Sequence, residues 1–169
     1  MRKLVSLLAL AGLTGVVHAQ GLKAQLESDM AKISAALAKK DLAAFEKLTR
    51  PHCTADYKHI ENGKAMNYDE MLKTMKQGMG MMTKMRKVQT KMLTFKQNGN
   101  KAVATFAHEM VGELPPGEDK KVHVMGFKGV SQNSYRKEGG KWKMSEMKWN
   151  SQTMMMDGKP MGAPSGGGK

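Results

Sequence analysis

Six residues of this chain are candidates for proton transfer in a pocket: Asp56, Tyr57, His59, His108, Tyr135 and Glu146. Acid–base chemistry in a pocket needs a base facing a phenol or a neutral acid. Asp56 and Tyr57 stand together in one short extended segment, with His59 nearby. His108 lies between Phe106 and Met110 at strand spacing, so the three share a face, and His108 points inward if that face is concave. His108 and Asp56 are therefore the candidate catalytic bases. The competing role for His108 is structural, with both ring nitrogens satisfied. The sequence leaves open which strand face is concave.

Metal and nucleophile chemistry find less support. His52, Cys53 and His59 match no zinc spacing. Eighteen methionines are unusual. Met79, Met81, Met82 and Met85, and the run Met154-Met155-Met156, offer thioether sulfur to Cu(I) in an exported protein. Met71, Met75 and Met79 follow helical spacing, which instead reads as methionine filling the core in place of Leu and Ile. Cys53 is the single cysteine, so no internal disulfide forms and the fold must hold by packing. It reads as a small buried residue. No phosphate loop, nucleophile elbow or dinucleotide fingerprint is present, and no cofactor is expected.

The elements that must position these residues begin after a leader. Arg2 and Lys3 precede an apolar run, Leu4 to Val17, too short to span a bilayer. Val17-His18-Ala19 then sets small residues at the −3 and −1 positions. This is the pattern of a signal peptide over residues 1–19, cut before Gln20. It predicts export to the periplasm or the exterior, with no stable membrane insertion afterwards. The chain's formal charge of +13 suits an anionic partner. Export, scattered lysines and an aromatic content of 5% argue against nucleic acid and for a solvated cationic surface.

Leu22, Leu26, Met30, Ile33 and Leu37 form an apolar helical stripe, and Lys39-Lys40 closes that helix. Asp41 caps a second short helix, Leu42 to Leu48, ended by Pro51. Thr54 to Ile60 reads as an edge strand or an extended linker, Asn62-Gly63 as a turn, and Asn67 with Glu70 as a capping box opening a third helix that ends near Gly78 and Gly80. From Met81 the period becomes two. Strands are predicted over Thr83–Gln97, with a bulge where the phase slips, then Lys101–Leu114, Lys121–Arg136 and Lys141–Met154. Helices followed by strands give an α+β domain over residues 20–156, whose twisted sheet carries helices on its concave face around a pocket. Residues 157–169, rich in Gly, Pro and Ser, read as a flexible tail.

Three stretches resemble the NTF2-like superfamily, in its SnoaL-like and DUF4440-like branches. They are Ala35 to Leu48 (A-A-L-A-K-K-D-L-A-A-F-E-K-L), Asn62-Gly63-Lys64 with the helix Tyr68 to Gln77, and the closing hairpin Ser134 to Met144 around Gly139-Gly140 and Trp142. The resemblance spans Leu22 to Met154 and implies an NTF2-like cone, often dimeric through its sheet. It does not fix a function, because the superfamily holds enzymes, ligand binders and adaptor domains. The isomerase pattern of acid and phenol has no residue-by-residue counterpart here.

Three functions follow as expectations. One is an exported module, a homodimer, binding a small apolar or amphipathic ligand among Tyr57, Phe106, His108, Tyr135 and Trp142, or acting through dimer contacts without catalysis. The second is an isomerase-like enzyme using His108 or Asp56 as base. The third is a Cu(I)-handling protein using Met79, Met81, Met82 and Met85.

Overall fold

The computed structural model describes residues 6–161. The leader expectation falls partly on residues 1–5, and the tail expectation partly on residues 162–169, which lie outside the described residues. Helix α1 spans Ser6–Ala38. Among the described residues no helix is long and apolar enough to cross a membrane. Lys40 turns the chain at a positive φ of 57°, and α2 follows at Leu42–Thr49. Asp41 caps α2 as its type predicts, its carboxylate accepting from the Ala44 N–H at 2.8 Å. One 3-10 turn at Arg50–His52, with Pro51 inside it, leads into strand β1, Cys53–Glu61.

Asn62 and Gly63 both take positive φ and join β1 to the short β2, Lys64–Met66. Helix α3, Tyr68–Gly80, opens with the predicted capping box: Asn67 accepts from the Glu70 N–H, and Glu70 accepts from the Asn67 N–H, each at 2.9 Å. Four long strands follow, β3 at Lys84–Asn98, β4 at Lys101–Glu113, β5 at Val124–Glu138 and β6 at Lys141–Met156. They form the antiparallel meander the alternation predicts. The start of β5 falls three residues later than expected, because Lys121 to His123 stay in the preceding loop.

The order across the sheet is β2-β1-β6-β5-β4-β3. Strand β1 lies parallel to β6, and every other pairing is antiparallel. The sheet continues past Met156, where the sequence reading ends the domain. Asp157 and Gly158 turn the chain, and strand β7, Lys159–Pro160, pairs back on Met155 and Met156. The result is an α+β cone: three helices on a curved, unclosed mixed sheet.

Bulges keep the apolar residues facing inward. The β3–β4 register slips between Met92 and Thr94, so Met92 and Phe95 both pack inward while Leu93 turns out and is 50% exposed. The β5–β6 register slips at Ser145, which lets Met144, Met147 and Trp149 share the inner face across uneven spacing. Two core clusters result. One joins Ala36, Phe45, Cys53, Tyr57, Tyr68, Met71 and Leu72 at the helix end. The other joins Leu22, Leu26, Ala102, Ala104, Phe106 and Tyr135 beneath α1.

Candidate functional site

The concave face is the one carrying Phe106, His108 and Met110. Between it and the helices lies a cavity of about 140 Å3. Helices α1 to α3 contribute Ile33, Phe45, Met71 and Met75, and the sheet contributes Val88, Met110, Met144 and Met147. Strand β1 adds Tyr57 and His59, two residues apart and so on one face, with Thr90, His108, Asn133 and Trp149 opposite. Among the described residues no Asp, Glu, Lys or Arg lines the space.

His108 is held at both ring nitrogens. Thr90 Oγ1 lies 3.2 Å from Nδ1 and Ser131 Oγ 2.8 Å from Nε2. The neighbours decide the direction of these bonds. The Ser131 hydroxyl donates to Asn133 Oδ1 at 3.0 Å, so its lone pair receives the His108 Nε2–H. His108 Nδ1 must then accept from the Thr90 hydroxyl, which itself accepts from Ser34 Oγ at 3.3 Å. Asn133 completes the chain by donating to Tyr135 Oη at 3.4 Å. Burial pushes the His108 pKa down to about 4. A neutral imidazole with both nitrogens engaged has no lone pair left for substrate. His108 thus lines the cavity as expected, as a satisfied wall residue.

His59 has the opposite arrangement. The Trp149 indole donates to His59 Nε2 at 3.2 Å, and His59 is only 6% exposed. Its Nδ1 is buried and has no partner among the described residues. The Trp149 ring also packs edge-on against His108 and Phe127, with centroids 5.0 and 5.1 Å away. Gly129, opposite His108 in the register, makes room for that ring: a Cβ there would stand 2.8 Å from Trp149 Cζ3.

The remaining predicted residues scatter. Asp56 is exposed and outside the cavity. Arg136 holds it in a bidentate pair at 2.7 and 3.1 Å, which draws its pKa down to about 2, and this arrangement removes it as a pocket base. Phe106 is fully buried on the concave face, in the cluster under α1, and does not line the cavity. Tyr135 and Trp142 line a separate space of about 50 Å3 under α1. Tyr57 does line the main cavity, and burial raises its phenol pKa, so it stays neutral. Met79 and Met82 are buried, Met82 against Gly112, whereas Met81 is 59% exposed, so the run does not present its sulfurs to one space. Among the described residues no group of three His, Cys, Asp or Glu is placed to hold a metal. Burial lifts the Cys53 thiol to about 12, which leaves it unreactive.

Among the polar and indole side chains that line the cavity, Thr49, His59, Tyr68, Thr90, Asn133 and Trp149 fall outside the binding set read from the sequence. His59 was accessible, since it follows Tyr57 at strand spacing. The others depend on pairings between distant segments.

No family model matches the sequence, and no curated protein matches it. Solved structures do match its fold. A conserved protein from Planctomyces limnophilus is 12% identical, covers 80% of this chain and 99% of its own, and superposes with a TM-score of 0.62. An NTF2-like superfamily protein from Salmonella enterica is 13% identical, covering 89% and 99%, at 0.56. A proposed dehydratase of the NTF2-like family from Streptomyces avermitilis is 15% identical, covering 86% and 99%, also at 0.56. With three helices on a curved mixed sheet and a pocket between them, as the resemblance implies, the chain has the NTF2-like fold.

Proposed function

We propose that this chain is an exported, non-catalytic binding module whose cone holds one small, largely apolar molecule. The observation that carries the reading is the cavity itself. It is walled by aliphatic, aromatic and thioether side chains and holds no ionised group. Its volume of about 140 Å3 suits a molecule of ring size, since a cavity of about 150 Å3 is enough for benzene. The alternative, proton transfer, lacks a base: His108 is neutral and engaged at both nitrogens, and Asp56 is tied to Arg136 outside. Six methionines line the space, and their flexible side chains let the wall adapt to a guest.

Those methionines also provide the test. Protein labelled at the methionine methyl carbons is titrated with benzene and followed by NMR. The methyls of Met71, Met75, Met144 and Met147 are expected to shift and saturate together, while the exposed Met81 methyl stays in place. Unmoved lining methyls at benzene saturation would remove the reading.

A further inference from the structure

We propose that His59 is the hydrogen-bond donor that orients the bound molecule, and that this molecule is a small neutral compound of ring size bearing one acceptor oxygen, such as a cyclic ketone. The proposal rests on the reading of the cavity as a ligand site. An indole nitrogen can only donate, so His59 Nε2 must accept from Trp149. A neutral imidazole that accepts at Nε2 carries its proton on Nδ1. That N–H is buried and unpartnered, on a cavity-lining ring that is 6% exposed.

Buried donors without partners are rare in folded proteins, because their desolvation goes uncompensated. Among the described residues two other buried side-chain atoms lack partners, Thr54 Oγ1 and Gln97 Oε1, and neither residue lines this cavity. Every bond of His108, the other cavity imidazole, is satisfied. His59 is therefore the one imidazole in the wall with an N–H to offer, and a guest oxygen would complete it.

The surroundings also select the charge of the guest. No Lys or Arg lines the cavity to hold an anion. The Glu61 carboxylate stands 3.8 Å from His59 Nε2 and would repel one. A carbonyl or ether oxygen meets the donor without carrying charge into an apolar space.

Cyclohexanone and methylenecyclohexane match in size and differ in that single acceptor, so they serve as the probe pair. Cyclohexanone leaves its hydration behind on entering, so its affinity is read as a ratio to that of methylenecyclohexane, and the hydrogen bond is read from the change in that ratio when the donor is removed. Cyclohexanone should also move the Nδ1 resonance of 15N-labelled His59. In His59→Phe, which keeps a ring and loses the donor, the affinity ratio of cyclohexanone to methylenecyclohexane should shift about tenfold toward methylenecyclohexane, the scale of one buried hydrogen bond. His59→Asn carries an amide N–H near the Nδ1 position and should retain the ratio of the unmodified chain, which keeps the test decisive if the Phe variant does not fold. An affinity ratio in His59→Phe that stays within about twofold of the ratio in the unmodified chain overturns the role of His59 and leaves the cavity as a ligand site. Failure of both probes to bind removes the cavity reading and this inference with it.

Discussion

Two imidazoles face one cavity with opposite tautomers, and their hydrogen-bond neighbours set the difference. Asn133 Oδ1 can only accept, which runs the chain of donors from Ser34 through Thr90 and His108 to Ser131 and Asn133. Trp149 can only donate, which leaves the His59 proton on Nδ1. The role of His108 is then to close a polar chain that crosses three strands and α1. Replacing it by Gln strands at least one of the Thr90 and Ser131 hydroxyls, a loss of about 2 kcal/mol in urea unfolding. The benzene affinity of the cavity should stay within about threefold, because His108 offers a guest no free donor. A tenfold loss of affinity with an unchanged circular dichroism spectrum would place His108 in direct contact with the guest. That His108 shares a face with Phe106 and Met110 was legible from their spacing, whereas which face is concave was not. The engagement of His108 was not legible either, since Thr90 and Ser131 lie 18 and 23 positions away on neighbouring strands.

At the scale of elements, the helices announce themselves through local chemistry. Asp41 and the Asn67–Glu70 box act within one turn of where they stand, so their residue types suffice to place α2 and α3. The strands were legible as alternation, but the bulges were legible only as phase slips. A slip shows that a register changes without showing which residue leaves the face. Leu93 illustrates this: it reads as apolar strand and is turned outward. Gly129 was silent altogether, since its meaning is the Trp149 ring delivered from β6. A methyl group there meets that ring at 2.8 Å and the Ser151 carbonyl at 2.9 Å, both too close to keep. Gly129→Ala should therefore cost about 1–3 kcal/mol as an overpacking change and shift the tryptophan emission, as the indole leaves His59. An unchanged melting temperature and emission would mean that β6 stands further from β5 at this point.

At the scale of the molecule, the parallel β1–β6 pairing joins segments 90 positions apart and so builds the cavity wall of His59 and Trp149. The same closure buries His108, and this gives the fold a defined acid response. The folded pKa of His108 is about 4, against an ordinary value of 6.5. The unfolded chain therefore takes up the proton first as pH falls. The stability tied to the neutral ring is complete above pH 6.5 and drains away down to pH 4, by at most about 3 kcal/mol. His123 acts in the other direction. Asp157 and Asp119 raise its pKa, so its contribution is present below pH 6.5 and is lost as pH climbs through its folded value. The ion-paired carboxylates Asp56, Glu109 and Glu113 have lowered pKa values and lose their contributions only in stronger acid. The interval from pH 6.5 to 4.5 thus belongs mainly to His108. Urea midpoints at pH 7 and pH 5 should fall clearly in the unmodified chain and much less in His108→Gln, while His123→Gln keeps the full acid loss. An equal fall in the His108 variant would assign the acid sensitivity to another group and place a charged imidazole in the cavity wall.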